Sequence, residues 1–250
     1  MNKHLRNLNR IEFVVTMACT GKCKHCSQGD LRSTDKLDKA LSADAVRKIA
    51  GEYNINSIMT FGGEPLLGAD TVFAIHNAAT DMEIPHRQLI TNGYFSKDTA
   101  KIKSVAESLA KCGVNDILLS VDAFHQETIP LDIVKAFAEA VSETGTKIRV
   151  QPAWLVSETD NNPYNIRTRE ILAEFEDMGI ASNEGNVIFP MGNALKYLGD
   201  YLRPQAENEN PYWEDPADIK AICFSANGDI LGSNIYKKDI MDILSEYKPK

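Results

Sequence analysis

No stretch of this sequence approaches the roughly 18 consecutive apolar residues that a membrane-crossing helix requires. Residues 1–10, MNKHLRNLNR, also lack the apolar centre of a secretory signal. The expected location is therefore the cytoplasm, with no membrane partner. Basic residues are in deficit as well: 27 Lys and Arg against 35 Asp and Glu leave a formal charge of −8. That balance argues against a nucleic-acid backbone as the main partner, because such binding draws on clustered cations. Internal repeats and low-complexity tracts are absent. What is present, 43% apolar and 25% charged residues, excludes wholesale disorder.

Cysteine is scarce too. Five is an odd number, and in a reducing compartment closely spaced thiols are more often metal ligands or catalytic groups than disulfide halves. Three of the five, Cys19, Cys23 and Cys26, fall within eight positions in MACTGKCKHCSQGD, with His25 between the last two. A fourth nearby thiol is missing. The polar residues Gly21, Lys22, Lys24 and Gln28 make this a loop in which unligated thiols would be a liability.

The remainder of the first 190 residues alternates between short apolar runs and amphipathic segments. Strands are expected at 11–17, 57–61, 88–91, 116–121, 147–156 and 186–190. Helices are expected at 41–53, 69–82, 97–112 (capped by Ser96), 130–144 and 165–179. Continuous apolar strands alternating with helices imply a parallel sheet, either open and doubly wound or rolled into a partial barrel. Residues 203–218, RPQAENENPYWEDPAD, read as a linker or mobile cover beyond which the main sheet does not continue. Two apolar runs around Asn227-Gly228 then read as a hairpin. The expected organisation is a core at 1–202, a linker at 203–218 and an extension at 219–250.

Cys19, Cys23, Cys26 and His25 nominally offer four zinc ligands, but His25 would have to fold onto the same ion as its immediate neighbours. A 4Fe-4S cluster held by three thiolates instead leaves one iron with open coordination positions, which suggests chemistry more than scaffolding.

The spacing Cys19-x3-Cys23-x2-Cys26 after the first strand, followed by GGEP at Gly62–Pro65 after the second, resembles the radical S-adenosylmethionine (SAM) superfamily. TNG at 91–93 and SVD at 120–122 extend the resemblance, which covers about residues 10–195. It implies an α/β fold, a partial (β/α)6 barrel of parallel strands with a small C-terminal hairpin. It further implies one 4Fe-4S cluster on Cys19, Cys23 and Cys26, with SAM chelating the unique iron and a 5'-deoxyadenosyl radical abstracting hydrogen from the substrate. Gly62, Gly63, Glu64 and Pro65 would help seat the SAM amino group, His25 would lie near the adenine, and Asn92, Ser120 and Asp122 would approach SAM from strands three and four. Gln151 and Asn193 follow the last two strands and would face the same edge, or serve as loop hydrogen bonders. Asp122 also fits a turn or helix-entry role, and His25 an ordinary loop position. His125 and Gln126 are expected to face the substrate.

Cys112 falls on the apolar face of its helix and reads as core. Cys223 is either a hydrogen donor to a substrate radical or a packed thiol; it lies in a hairpin resembling the extensions of peptide-modifying members, with Ser233 where a further cysteine would be expected. The expected substrate is a small molecule or a peptide side chain, and the electron source a one-electron reductant such as flavodoxin or ferredoxin. About ten residues precede the first strand, so no attached leader-peptide-binding domain is expected there. Two other readings stay open: a noncatalytic iron-sulfur or zinc protein, and an activating enzyme for a glycyl-radical partner.

Overall fold

The computed structural model describes residues 2–29, 33–202 and 214–249. The chain forms β1 (Arg10–Val14), α1 (Lys39–Glu52), β2 (Ser57–Phe61), α2 (Ala69–Asp81), β3 (His86–Thr91), α3 (Thr99–Lys111), β4 (Asp116–Ser120), α4 (Ala123–Gln126), α5 (Leu131–Glu143) and β5 (Lys147–Gln151). There follow β6 (Ala153–Trp154), α6 (Pro163–Glu176), β7 (Asn186–Val187), α7 (Asn193–Tyr197), β8 (Ala221–Phe224), β9 (Asp229–Ile230), β10 (Ser233–Asn234) and α8 (Ile240–Glu246).

Six strands hydrogen-bond in the order β5-β4-β3-β2-β1-β8, every pair parallel. The three central residues of β2 (Ile58, Met59, Thr60) and of β4 (Ile117, Leu118, Leu119) are buried. Alternate residues of a strand point to opposite faces, so burial of consecutive ones means that both faces are covered. Helices supply one cover through their apolar stripes: in α5, Val134, Phe137, Ala138 and Val141 recur at helical spacing and are all buried. The expected partial barrel is thus the fold that the chain adopts, and the sheet does not close on itself.

Four details differ from the sequence-based expectation. The expected strand at 186–190 is reduced to β7, which pairs with β6 in a separate parallel ladder, with a single bridge from Val150 to Ser182 below it. The cause is Pro152, which follows β5 and has no N–H to continue its ladder. The main sheet also does not end ahead of residue 203. β8 lies along the outer edge of β1, in register from Arg10 opposite Ala221 to Phe13 opposite Phe224. Of the segment 203–218, residues 203–213 lie outside the described residues.

Asn227-Gly228 is a turn, closed by the Gly228 N–H donating to Ser225 O at 2.8 Å, but it is not the hairpin's turn. The hairpin is β9–β10, reversed at Leu231-Gly232, where both residues have positive φ (48° and 74°), as tight two-residue hairpin turns require. The N-terminus of α3 differs in its cap as well. Asp98, directly ahead of the first helical residue, accepts from the Ala100 and Lys101 N–H groups, whereas Ser96 accepts from Asp98.

Phe224 is fully buried, and its ring stacks on Phe13 with centroids 4.5 Å apart. Replacing it with Ala removes a large core side chain, which generally costs about 3–5 kcal/mol. Phe224→Ala is expected to lower the urea midpoint of the main unfolding transition. An unchanged midpoint would show that β8 is appended to the core and not built into it.

Candidate active site

β1 ends at Val14, and the chain leaves it as the cysteine loop, residues 15–29. Its stem is pinned by the turn after β2: the Gly63 N–H donates to Thr16 O and the Glu64 N–H to Ala18 O, each at 2.8 Å. The two glycines permit this contact. Gly62 has φ +148°, and a Cβ there would lie 2.5 Å from Thr16 O; a Cβ on Gly63 would lie 2.3 Å from Ala18 O. The glycine pair therefore lets two backbones meet, and it shapes the cavity wall through that contact.

The rest of the loop is gripped from three strand ends. From β3, Asn92 Nδ2 points to Cys19 Sγ (3.6 Å) and Thr20 Oγ1 (3.3 Å). From the segment after α4, Thr128 Oγ1 accepts from the Lys22 N–H at 2.9 Å, and Glu127 pairs with Lys24 at 2.9 Å. From α7, the Asn193 N–H donates to Cys26 O (2.9 Å) and Asn193 Nδ2 to Cys23 O (3.3 Å).

The three thiols open onto one cavity of about 350 Å³ at the carboxyl edge of the strands. Gly62, Gly63, Asn92, Ser120, Asp122, His125 and Gln151 share its wall with His25. The structure thus gathers most of the expected site. Glu64 and Pro65 are buried outside the cavity wall, Asn193 sits behind the loop that it ties down, and Cys223 is an exposed residue of β8 in register with Glu12, also outside the wall. Gln126 does not line the cavity either; its Oε1 accepts from the Asp122 N–H at 3.0 Å. Cys112 is buried, and its thiol donates to Leu109 O at 3.2 Å, the core role expected of it.

Glu64 has no exposed surface. Its carboxylate accepts from the Thr91 hydroxyl (2.7 Å), the Asn92 N–H (2.8 Å) and the Leu66 N–H (2.9 Å). It brackets the turns after β2 and β3 and so positions Asn92. Burial raises its pKa against those hydrogen bonds, to about 7.

Asp122 is also fully buried and caps α4. One oxygen accepts from the Phe124 and His125 N–H groups, both at 2.9 Å; the other accepts from the Ala153 N–H at 3.1 Å and from His125 Nδ1 at 2.7 Å. Burial works to raise its pKa, but His125, His25 and these donors outweigh it and hold the group ionised, at about 2. Asp122, His125 and His25 bring ligating atoms within 4.8 Å of one another. With four N–H donors already on the carboxylate, they form a hydrogen-bonded group and not a vacant cation site.

The His25 ring packs against Phe124 and His125, with centroids 5.1 and 4.6 Å away, and burial lowers its pKa to about 4. Its Nδ1 is enclosed without a protein partner. Burial, followed by the Asp122 charge and the neighbouring thiols, drives the Cys23 pKa strongly upward.

These features fit a 4Fe-4S cluster with SAM beside it. Three converging thiols face open space, where a fourth ligand would come from the bound molecule, and a buried ring nitrogen and the Asn92 side chain border that space. One apolar side of the wall, Val187, Ile188 and Phe189, was legible only as a strand.

Because burial favours the protonated form of Glu64, the folded chain binds more protons at this group than the unfolded chain between about pH 4.5 and about 7. This contribution to stability is present below that window and is lost as pH rises through it. In urea unfolding, the wild type minus Glu64→Gln stability difference is expected to fall across this range. A difference that is flat or rises with pH would contradict the assignment.

Residues 13–149 match the family described as the Radical SAM superfamily. A probable GTP 3',8-cyclase of Methanopyrus kandleri is 28% identical over 226 residues, covering 81% of this chain and 66% of that protein. A second, from Methanococcus vannielii, is 29% identical over 123 residues, covering 48% of this chain and 38% of its own length. The chain therefore spans less than two thirds of these relatives. Among solved structures, SuiB of Streptococcus suis bound to S-adenosylmethionine superposes with a TM-score of 0.62 at 16% identity, over 97% of this chain and 67% of that one. Native anSMEcpe with bound AdoMet gives 0.62 at 14% identity, over 97% and 81%. These two likenesses concern the fold; the family match, which spans more than half of the chain and takes in the cysteine loop and the GGEP turn, shows that the chain belongs to the radical SAM superfamily.

Proposed function

We propose that this radical SAM enzyme acts on an uncharged position of a peptide or protein side chain. The observation that carries the substrate class is the composition of the cavity wall: among the described residues lining it there is no Lys and no Arg. A nucleoside triphosphate brings several negative charges, and its recognition calls for cationic side chains or clustered backbone N–H groups. GTP, named for the relatives from Methanopyrus and Methanococcus, therefore finds no Lys or Arg counter-charge among the described residues of this wall. Val187, Ile188 and Phe189 instead give one side an apolar lining, beside the amides of Asn186 and Gln151. SuiB has also been seen bound to precursor peptide SuiA and anSMEcpe with the Cp18Cys peptide, which supports a peptide reading on the same scaffold.

Cys19, Cys23 and Cys26 would hold the cluster. When bound, cluster and SAM together supply a 5'-deoxyadenosyl radical by one-electron cleavage of SAM, and the radical takes a hydrogen atom from the substrate. The chain's own residues do the placing. The β2 turn, Asn92 and Asn193 fix the backbone that carries the thiols, Glu64 fixes Asn92, and Ser120 and Gln151 offer hydrogen bonds across the cavity. Cys112 and Cys223 lie apart from this grouping, one in the core and one on β8, which supports a single cluster. The electron would come from a flavodoxin- or ferredoxin-type donor. A plain electron carrier has no use for a cavity of this size opening on all three thiols.

Anaerobic reconstitution with iron and sulfide, followed by reductant and SAM, is expected to yield 5'-deoxyadenosine. Replacing any of Cys19, Cys23 or Cys26 with Ala is expected to abolish both the cluster absorbance and this product. GTP added to the loaded enzyme is expected to remain unchanged. A cyclised nucleotide formed together with 5'-deoxyadenosine would overturn the substrate assignment and leave the radical chemistry intact.

A further inference from the structure

The cavity wall holds one side chain built to exchange a proton with a bound molecule. The His125 ring lines the cavity, and its Nδ1 lies 2.7 Å from Asp122 Oδ2. Asp122 is ionised, so that contact keeps a proton on Nδ1 and leaves Nε2 to meet a ligand. The dyad is rigid, because three backbone N–H groups besides the ring nitrogen fix the carboxylate. The other ionisable groups of the wall are committed elsewhere: the three thiols to the cluster, Asp122 to its four donors, and His25 to the cysteine loop, with its Nδ1 enclosed.

One-electron cleavage of SAM consumes an electron and no proton. Proton exchange by a wall residue is therefore not called for by the cleavage of SAM. We infer that His125, held by Asp122, is the proton acceptor for the substrate, and that the substrate carries an O–H, N–H or S–H group on the carbon that loses hydrogen. The inference rests on the radical SAM reading above.

In the step assigned to it, the heteroatom's proton passes to Nε2, whose lone pair becomes the new N–H bond, and the electron pair of the broken bond stays on the heteroatom. The adjacent carbon loses one hydrogen atom to the nucleoside radical that the enzyme's activity supplies, giving 5'-deoxyadenosine and a substrate radical anion. This step consumes no oxidant besides the nucleoside radical. Charged and titratable groups coupled to His125 are Asp122 on its own turn, His25 across from it, and Glu64 behind the wall. Asp122 is a positioning residue here.

The test needs no known substrate. Anaerobic, cluster-loaded protein is treated with diethyl pyrocarbonate at about pH 6, where imidazoles react ahead of amines, and each histidine is mapped by mass spectrometry with and without saturating SAM. His125 is expected to be modified, at a rate that SAM changes by less than about twofold. Full protection by SAM would place His125 in the SAM subsite, and no reaction under either condition would show that Nε2 is unavailable; either result overturns the inference. Side-chain 15N NMR is expected to show the proton on Nδ1 in the wild type and both tautomers in Asp122→Asn. A wild-type proton on Nε2 alone would also overturn it. SAM binding, measured in the same samples, separates the two: protection or non-reaction of His125 with SAM bound overturns this inference alone, whereas loss of SAM binding would overturn the radical SAM reading and this inference with it.

Discussion

The structure depends on holding a polar loop still. A segment of some fifteen residues with no regular secondary structure must bring three thiols to one point, and fixing each backbone residue costs on the order of 1–2 kcal/mol of conformational entropy. The loop has little apolar surface with which to offset that cost, so neighbouring strand ends do so instead. The turn after β2 supplies two backbone hydrogen bonds to its stem, Asn92 reaches the first thiol, Thr128 and Glu127 hold its middle, and Asn193 holds the carbonyls of Cys23 and Cys26. A parallel sheet suits this task because its carboxyl ends all lie on one side. The site is assembled by loops from consecutive strands, each of which contributes one clamp.

Polar groups that look like ligands in the sequence turn out to work at one remove. In GGEP, Gly62 and Gly63 line the cavity and also meet the backbone of residues 16–18, whereas Glu64 is sealed behind the wall, bonded to Thr91, Asn92 and Leu66. A buried carboxylate with three donors is worth more as a bracket than as an exposed acceptor, because loss of one partner would leave the others unpaired in a low-dielectric setting. The same logic covers Asp122, whose charge survives burial because four N–H groups solvate it. Asp122 and His125 stand three residues apart at a helix entry, where a capping side chain can reach both the backbone and the ring.

The parts of the fold legible in the sequence are those governed by local periodicity or by covalent spacing. Apolar runs gave β1 to β5, helical stripes such as that of α5 gave the covering layer, and Cys19-x3-Cys23-x2-Cys26 marked the metal loop. Non-local choices were not legible. Whether AICF pairs with its own hairpin partner or with β1 depends on Phe224 finding Phe13, a contact between positions more than two hundred residues apart. Pro152 could be read as a chain break in β5, but not the resulting displacement of β7 into its own ladder, since that depends on how residues 182–188 follow the broken edge. Glu64 was legible as a motif residue and illegible as a bracket, because its donors come from the next strand.

Electrostatics ties the loop to what it holds. The chain carries a formal charge of −8, and the cavity wall adds an ionised carboxylate without a single Lys or Arg among its described residues. In that setting, burial and the Asp122 charge oppose a thiolate at Cys23, so the protein alone favours the neutral thiol. Iron reverses the balance, because a bound metal is the largest local charge and deprotonates the thiols that coordinate it. The described wall residues supply no Lys or Arg, so positive charge beside Asp122 would arrive with the SAM sulfonium. A wall with a carboxylate held ionised beside it suits a cationic cofactor, and the same wall disfavours an anionic substrate. On the reading proposed above, discrimination against an anionic substrate and retention of a cationic cofactor would follow from one arrangement of charge.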